Sequence, residues 1–289
     1  MKSATPASKS ASAARPHRCF RTTADGRIPL VGCWPALFDA CASWHDVALQ
    51  TRHAYARLVH RGALPRIDWT GSGAPALASS ADGTLALHLG SWSQAQAWGR
   101  LALCDCCGSP GRIELHHPTA GEFLHLSAPA DLPAADWSHA IAPLVAETPV
   151  VDDAARPSIS PLPTARIPSP SRTLCRDGDR LAVLLSALGD EDTPITCQLR
   201  TGECTHTRRF IPHRVFIEDG VLSIGDTRST FQVALPFVGV LATTYAAGAC
   251  TLHVGSVCNE LLVSFSAGPK PEDAASWHGA LAATFPLFR

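Results

Sequence analysis

The sequence has little charge and almost no lysine. Charged residues make up 17% of its 289 residues, the net charge is −1, and after Lys9 only Lys270 follows. Nucleic acids and anionic membranes attract proteins through clustered Lys and Arg side chains. The composition therefore gives no reason to expect nucleic acid or an anionic membrane surface as a partner.

Long uninterrupted apolar runs are also absent. The longest apolar stretch, residues 233–247, is broken by Pro236, Gly239, Thr243 and Thr244, whereas a membrane-spanning helix needs about 20 consecutive apolar residues. Membrane insertion is therefore not predicted. The chain begins with a basic stretch rich in Ser and Ala that lacks the apolar segment of a secretory signal. We interpret residues 1–26 as a disordered leader.

Cysteine is frequent, but its distribution does not indicate disulfides. The chain has 11 cysteines, an odd number, and several lie in apolar alternating segments, among them Cys197, Cys250 and Cys258. Free cysteine in such positions behaves as a small hydrophobic residue, and disulfides are rare in the cytoplasm. We therefore expect a cytoplasmic protein with free thiols.

Common catalytic signatures are missing as well. The sequence contains no Gly-x-Ser-x-Gly, no phosphate-binding loop, no Gly-x-Gly-x-x-Gly after a strand and no His-Glu-x-x-His. The catalytic residues, and whether the protein is an enzyme, are therefore left open.

One local cluster favours a metal or thiol site. Cys104, Cys106 and Cys107 are followed by His116, and zinc is bound by Cys and His in a tetrahedral set. Their spacing differs from the Cys-x-x-Cys pair, in which both thiolates can converge on one ion. A zinc or thiol protein built around these residues is the weaker alternative.

What the chain does contain is an internal repeat. Val47–Arg52 (VALQTR) is echoed by Ile195–Arg200 (ITCQLR) at an offset of 148 residues. Near the end of each copy, Trp137 and Trp277 stand in similar segments at an offset of 140. A repeat unit this long predicts two similar subdomains rather than a short-period solenoid.

Each copy has the pattern of strands with helices at its ends. Alternating apolar residues predict four strands in a meander between residues 84 and 126, and eight strands between residues 195 and 266. Helices are predicted over residues 35–44, 131–145, 180–188 and 272–285. The strands are too closely spaced for crossover helices, so their pairing should be antiparallel. The predicted fold class is α+β, an internal duplication of a subdomain with a large antiparallel sheet flanked by helices.

A proline-rich segment separates the copies. Residues 146–173 contain six prolines among small polar residues, which excludes a helix or a central strand. We predict an exposed, protease-sensitive linker. The domains are then a leader (1–26), a first repeat (27–145), the linker (146–173) and a second repeat (174–289).

A series of short motifs runs in one order through most of the chain. In the second half they are Pro194-Ile195, Gly202-Glu203-Cys204, Asn259 and residues 265–272 before Trp277. In the first half they are Ala48–Arg52, Leu85–Trp92 and Cys104–Gly108. In this order the motifs resemble the hemin-degrading factor, or hemin transport protein, family (HemS-like proteins) over residues 30–289.

The resemblance implies a cytoplasmic haem-handling protein of bacterial haem-iron utilisation. It implies two like halves, and haem held in a cleft by an axial histidine, arginines and a tyrosine. The expected role is haem binding and trafficking, or haem degradation, with haem and components of the haem-uptake system as partners.

The chain departs from the family at its ligand positions. The family's main axial histidine lies just before the second repeat, but no histidine occurs between His139 and His206. A family arginine is replaced by Ala86, and a family histidine by Gln232. The alternative is therefore a HemS-like fold that has lost iron ligation and serves as a binding or regulatory module.

Other residues combine a histidine with arginines. An iron porphyrin needs a nitrogen ligand, and cations can pair with its two propionates. Two clusters are candidates, although strand residues of this kind also occur on solvated sheet faces. The first cluster is His53 and His60 beside Arg52, and the second is His206 beside Arg200, Arg208 and Arg209.

Overall fold

The described part of the protein contains two large antiparallel sheets and four α-helices. The computed structural model describes residues 27–30, 34–64, 66–69, 76–80, 82–88, 96–100, 111–117, 121–142, 165–169, 172–175, 177–202 and 204–285. The predicted leader and most of the predicted linker lie outside these residues. Within them, no helix is both long and apolar enough to cross a bilayer.

Among the described residues, each half contains nine strands, most of which alternate buried and exposed side chains and end at short turns. The first half contains β1 (Arg27–Leu30), α1 (Trp34–Ala42), β2 (Val47–Arg52), β3 (Ala56–Gly62), β4 (Ile67–Asp68), β5 (Ala76–Ser80), β6 (Gly83–Leu87), β7 (Gln96–Arg100), β8 (Arg112–His117), β9 (Gly121–Ser127) and α2 (Ala134–Ile141). The second half contains β10 (Arg172–Cys175), α3 (Asp179–Asp190), β11 (Ile195–Arg200), β12 (Cys204–Phe210), β13 (Arg214–Glu218), β14 (Val221–Gly225), β15 (Ser229–Ala234), β16 (Val238–Ala246), β17 (Ala249–Ser256), β18 (Leu261–Ala267) and α4 (Pro271–Thr284).

The two halves share one topology. Six strands of the first half lie in the order β1-β7-β8-β9-β2-β3, and six of the second half in the order β10-β16-β17-β18-β11-β12. The first residues of β2 and β11 are 148 positions apart (195 − 47 = 148). Trp137 of α2 and Trp277 of α4 are both buried. The predicted α+β fold with an internal duplication is therefore confirmed.

Three strands of each half join the sheet of the other half. In sheet A, β15, β14 and β13 extend the first-half strands beyond β3, and in sheet B, β6, β5 and β4 extend the second-half strands beyond β12. Both junctions are antiparallel, with His60 opposite Ser229 and Arg208 opposite Gly83. The exchange covers the edges that β3 and β12 would otherwise expose.

This exchange corrects the predicted four-strand meander. The strand predicted at residues 84–89 is β6, which leaves the first-half strands for sheet B, so that only β7, β8 and β9 form a meander. In addition, β7 begins at Gln96, earlier than the predicted strand.

The end of the predicted linker is paired with sheet B. Arg172 and Thr173 belong to β10, which pairs with β16 at the edge of the sheet. Arg166 forms an isolated bridge with Glu260, and the Leu261 amide donates to the Ala165 carbonyl at 2.7 Å.

Each half has its own apolar core, and each core takes residues from the other half. Leu58 of β3 packs in the second-half core with Phe231 and the leucines of α3. Cys204 of β12 packs in the first-half core with Leu85 and Trp137. The junction strands β3 and β12 therefore each contribute residues to the core of the other half.

Candidate functional site

Strand alternation divides the predicted site residues between two faces. On β2 and β3 the buried positions include Thr51 and His60, whereas Arg52 and Arg57 lie on the opposite, outer face of sheet A. On β12 the buried positions include His206. Successive side chains of a strand point to opposite faces, so residues adjacent in sequence are separated in space.

Two histidines on the buried face are hydrogen-bonded to neighbouring side chains. The His206 side chain is fully buried; its Nδ1 lies 3.0 Å from Thr51 Oγ1, and Arg208 Nε donates to His206 Nε2 at 3.1 Å. Because Nε2 accepts from Arg208, the ring hydrogen is on Nδ1, which donates to Thr51. His60 Nδ1 lies 3.2 Å from Ser229 Oγ.

The electrostatics keep these histidines neutral. Burial, followed by the charge of Arg208, lowers the pKa of His206 well below its ordinary value and lowers the pKa of His60 to about 4. Burial also lowers the pKa of Arg208, to about 10, against the opposing charge of Asp82. Arg208 therefore stays charged at neutral pH while both rings are uncharged.

This network removes two of the three candidate histidines from the predicted clusters. His206 has both ring nitrogens engaged and no exposed surface, so it offers no lone pair to an iron atom. His60 is buried on the face opposite Arg52. Arg200 is exposed on the outer face of sheet B, away from His206 and Arg208. Strand alternation thus keeps Arg208 with His206 and separates Arg200 and Arg209 from that histidine. It likewise leaves His53 beside Arg52 and places His60 on the other face.

The outer face of sheet A carries a pocket at the β2–β3 hairpin. This hairpin pocket has a volume of about 250 Å³. It is lined by Arg52, His53, Ala54, Tyr55, Ala56 and Arg57 from the hairpin and by Val221, Gln232, Val233 and Ala234 from β14 and β15. Arg52 and Arg57 are directly opposite in register, so two guanidinium groups border one pocket.

A row of polar side chains fixes the Arg57 side of the pocket. Arg57 lies opposite Gln232, and Gln232 opposite Ser223. Arg57 Nε donates to Gln232 Oε1, and Gln232 Nε2 donates to Ser223 Oγ at 2.7 Å. The amide therefore uses its acceptor on the arginine and a donor on the serine.

His53 is the histidine that the pocket contains. It is half-buried, and its Nδ1 is buried without a hydrogen-bond partner among the described residues. Burial lowers the pKa of His53, against the opposing charge of Glu260, so the imidazole is neutral at pH 7. An unsatisfied buried nitrogen costs about 1–3 kcal/mol. Neutral imidazole is also the form that binds metals.

The pocket also contains an aromatic wall. The Tyr55 ring stacks on Phe237 with centroids 4.0 Å apart and an interplanar angle of 14°. Phe237 follows β15 in a short 3₁₀ turn, Leu235–Phe237. Sequence reasoning singled out neither Tyr55 nor Arg57, although both follow Arg52 within one hairpin.

Sheet B has a histidine near the position that corresponds to the hairpin pocket of sheet A. Ala86 lies opposite Thr205 as Gln232 lies opposite Arg57. His88 Nε2 lies 3.1 Å from Thr205 Oγ1, and burial and the charge of Arg200 lower the pKa of His88. His88 was also missed by sequence reasoning, although the alternation of β6 places it on the same face as Ala86.

The predicted zinc cluster is only partly described. Cys104, Cys106 and Cys107 lie outside the described residues. The imidazole of His116 lies 3.2 Å from the buried carboxylate of Glu114. In the described part of the chain, no three His, Cys, Asp or Glu side chains are arranged to hold a metal ion.

Solved structures share the fold. No protein-family model matches the sequence, and no curated protein matches it in sequence. The haem-degrading enzyme ChuS of Escherichia coli O157:H7 superposes with a TM-score of 0.73 at 13% identity, over 91% of this chain and 88% of ChuS. Holo-PhuS, a haem-binding protein from Pseudomonas aeruginosa, superposes with a TM-score of 0.71 at 14% identity, over 88% of this chain and 86% of PhuS. The resemblance inferred from the motifs is thus confirmed at the level of the fold.

Proposed function

We propose that this protein binds haem and that the hairpin pocket is its binding site. The observation that carries the proposal is a neutral His53 between the opposed Arg52 and Arg57, with Tyr55 in the same pocket. The fold adds support, because it is shared with ChuS, which degrades haem, and PhuS, which binds it.

The residues of the pocket fit the chemical groups of haem. His53 is only half-buried and would supply the nitrogen ligand through a ring nitrogen that faces the pocket, while its buried Nδ1 has no hydrogen-bond partner among the described residues. Arg52 and Arg57 would pair with the propionates, and the Tyr55 ring would contact the porphyrin. The pocket is smaller than the 300–1,000 Å³ typical of small-molecule sites, so one edge of the haem would enter it while the rest lies on the sheet. The iron chemistry would come from the haem itself.

The cellular role follows as part of the same proposal. We place the protein in the cytoplasm, in haem trafficking or breakdown during haem-iron utilisation, with components of the haem-uptake system as partners. The resemblance of the motifs and the shared fold support this role.

Titration with hemin tests the proposal. The wild-type protein should shift the Soret band on binding, and His53→Ala should abolish or change that band because the iron loses its nitrogen ligand. Arg52→Ala should keep the band but weaken binding by about ten- to a hundred-fold, since a charge-assisted hydrogen bond contributes about 1.5–3 kcal/mol. The matched control is His213→Ala. His213 is exposed between β12 and β13, and this variant should bind hemin as the wild type does.

Two other results would revise the proposal. If His88→Ala alone changes the band, the haem lies on sheet B and the assignment of the pocket is wrong. If the wild-type protein gives no Soret shift, the reading of a HemS-like fold that has lost iron ligation replaces the proposal. The missing histidine between His139 and His206 favours that reading.

A further inference from the structure

Among the described strands, β13 lies at one edge of sheet A. It pairs with β14 on one side, and no other described strand pairs with its other side. Four of its five side chains are exposed, including Phe216 at 50% and Ile217 at 47%. Natural proteins protect such edges with short strands, charged side chains, proline, bulges or a covering helix. Helix α3 packs against β13, and Val215 contacts the core that holds the α3 leucines. β13 has no proline, pairs with β14 without a bulge, and carries apolar residues at its centre.

The charges of β13 make the strand complementary to itself. Its sequence is Arg-Val-Phe-Ile-Glu, from Arg214 to Glu218. In an antiparallel pair centred on Phe216, Arg214 of each copy faces Glu218 of the other. Val215 then faces Ile217, and the two Phe216 side chains face each other. Opposite charges directly across antiparallel strands stabilise the pair, whereas like charges destabilise it.

The backbone has the matching pattern of free groups. Asp219 and Gly220, with φ of 51° and 74°, form a two-residue turn between β13 and β14. In such a hairpin Glu218 and Val221 form the hydrogen-bonded pair that closes the turn. Hydrogen-bonded and non-hydrogen-bonded pairs alternate along an antiparallel ladder. The backbone groups of Phe216 therefore also form hydrogen bonds with β14, while the N–H and C=O groups of Val215 and Ile217 point away from β14.

We infer that β13 is a dimerisation edge that pairs antiparallel with β13 of a second copy of this chain. Val215 and Ile217 of the two copies exchange backbone hydrogen bonds, and the Phe216 pair occupies the non-hydrogen-bonded position, where side chains approach most closely. The two copies of sheet A then form one continuous sheet. A second copy of this chain is favoured as the partner because Arg214 and Glu218 then face residues of opposite charge. An unrelated strand would need opposite charges at the same two positions.

The contact area is small, which determines the strength of the dimer. Interfaces below about 1,200 Å² belong to weak or transient complexes. A single five-residue edge falls in this class, so we expect a concentration-dependent dimer with a dissociation constant on the order of micromolar.

Sedimentation velocity on the full chain, across a concentration series up to about 200 µM, tests the inference. The wild type should shift from monomer to dimer. Arg214→Glu places like charges at both ends of the pair, and so does Glu218→Arg; each should raise the dissociation constant at least about ten-fold. The double variant restores two opposite-charge pairs and should recover the dimer. An equimolar mixture of the two single variants should form a heterodimer, because every facing pair is then Glu with Arg.

The matched control is Arg61→Glu. Arg61 is exposed on the same face of sheet A but on β3, inside the sheet, so its charge reversal should leave the dimer unchanged. A wild type that stays monomeric throughout would overturn the inference. So would a dimer that both single reversals leave intact, or single variants that neither the double variant nor the mixture rescues while their folding, measured by circular dichroism, is normal.

Discussion

At the scale of single residues, the buried histidines make stability depend on pH. The pKa of His60 is lowered to about 4 by burial and by Arg208, with Arg228 adding to the shift and Asp82 and Asp226 opposing it. Between about pH 6.5, the ordinary value for histidine, and pH 4, the unfolded chain binds a proton at this residue and the folded chain does not. Stability should therefore fall as the pH falls through this window.

His60→Asn tests this dependence. The wild-type free energy of unfolding should decrease between pH 7 and pH 4.5, and the variant should lose part of that decrease, at most about 3 kcal/mol for a shift of this size. Urea denaturation at several pH values measures the difference between the two proteins. Equal pH dependence in both would show that His60 takes up its proton in the folded state as readily as in the unfolded state.

The same residues show what the sequence could predict about the site. Histidine and arginine close together in sequence pointed to the β2–β3 hairpin, and Arg52 and His53 do line one pocket. Parity along β3 could have placed His60 on the buried face with Leu58, and parity along β12 could have separated Arg209 from His206. The orphaned Nδ1 of His53 and the stack of Tyr55 on Phe237 depend on β15 and on the turn after it, which no local pattern relates to the hairpin.

At the scale of secondary-structure elements, each closing helix depends on a tryptophan packed close to a strand. Trp277 of α4 donates from Nε1 to the Cys250 carbonyl of β17 at 3.1 Å. Trp137 of α2 lies against Gly111, just before β8, where an added Cβ would come within 1.9 Å of the indole ring. The glycine therefore sets how closely α2 approaches sheet A.

Two glycine-to-alanine variants distinguish the effect of core packing at Gly111 from the effect of helix propensity at Gly279. Gly111→Ala should destabilise the protein by about 1–3 kcal/mol, because the methyl group displaces Trp137 and overpacks the first core. Gly279→Ala should stabilise it by about 0.5–1 kcal/mol, since Gly279 lies inside α4 with no atom within 4 Å of the new Cβ. Thermal denaturation of both variants measures the two effects. A Gly111→Ala protein as stable as the wild type would mean that α2 does not need this close contact.

Element types were predictable from local pattern, but sheet membership was not. All eight strands predicted between residues 195 and 266 occur, because each alternates with the period of a strand and ends at a turn. Alternation identifies which face of a strand is buried and gives no information on its neighbour. The pairing of β6 with β12 joins residues more than a hundred positions apart, which explains why the meander prediction failed. Proline content likewise excluded a central strand near residue 172, and the structure has an edge strand there.

At the scale of the whole molecule, strand exchange makes the two halves interdependent. Removing the first half takes Ala56 and Leu58 from the second core and leaves β12 and β15 without their partners β6 and β3. Unpaired central strands expose long rows of backbone donors and acceptors, which favours aggregation or pairing with another chain. The sequence repeat predicted two similar subdomains, and the topology adds that each subdomain shares strands with the sheet of the other.

The isolated second half, residues 165–289, should therefore not be a folded monomer. Its β12 occupies the place that β3 has in the first half, so β15 of one copy can pair with β12 of another and the fragment can fold as an exchanged homodimer. Otherwise it should be unfolded or aggregated. Co-expression with residues 27–145 should give a one-to-one complex instead, because the native pairs β15–β3 and β12–β6 then form. Light scattering after size exclusion, combined with circular dichroism, distinguishes these states. A monomeric fragment that unfolds cooperatively would show that the nine second-half strands with α3 and α4 suffice for stability, and that pairing with β3 and β6 adds little.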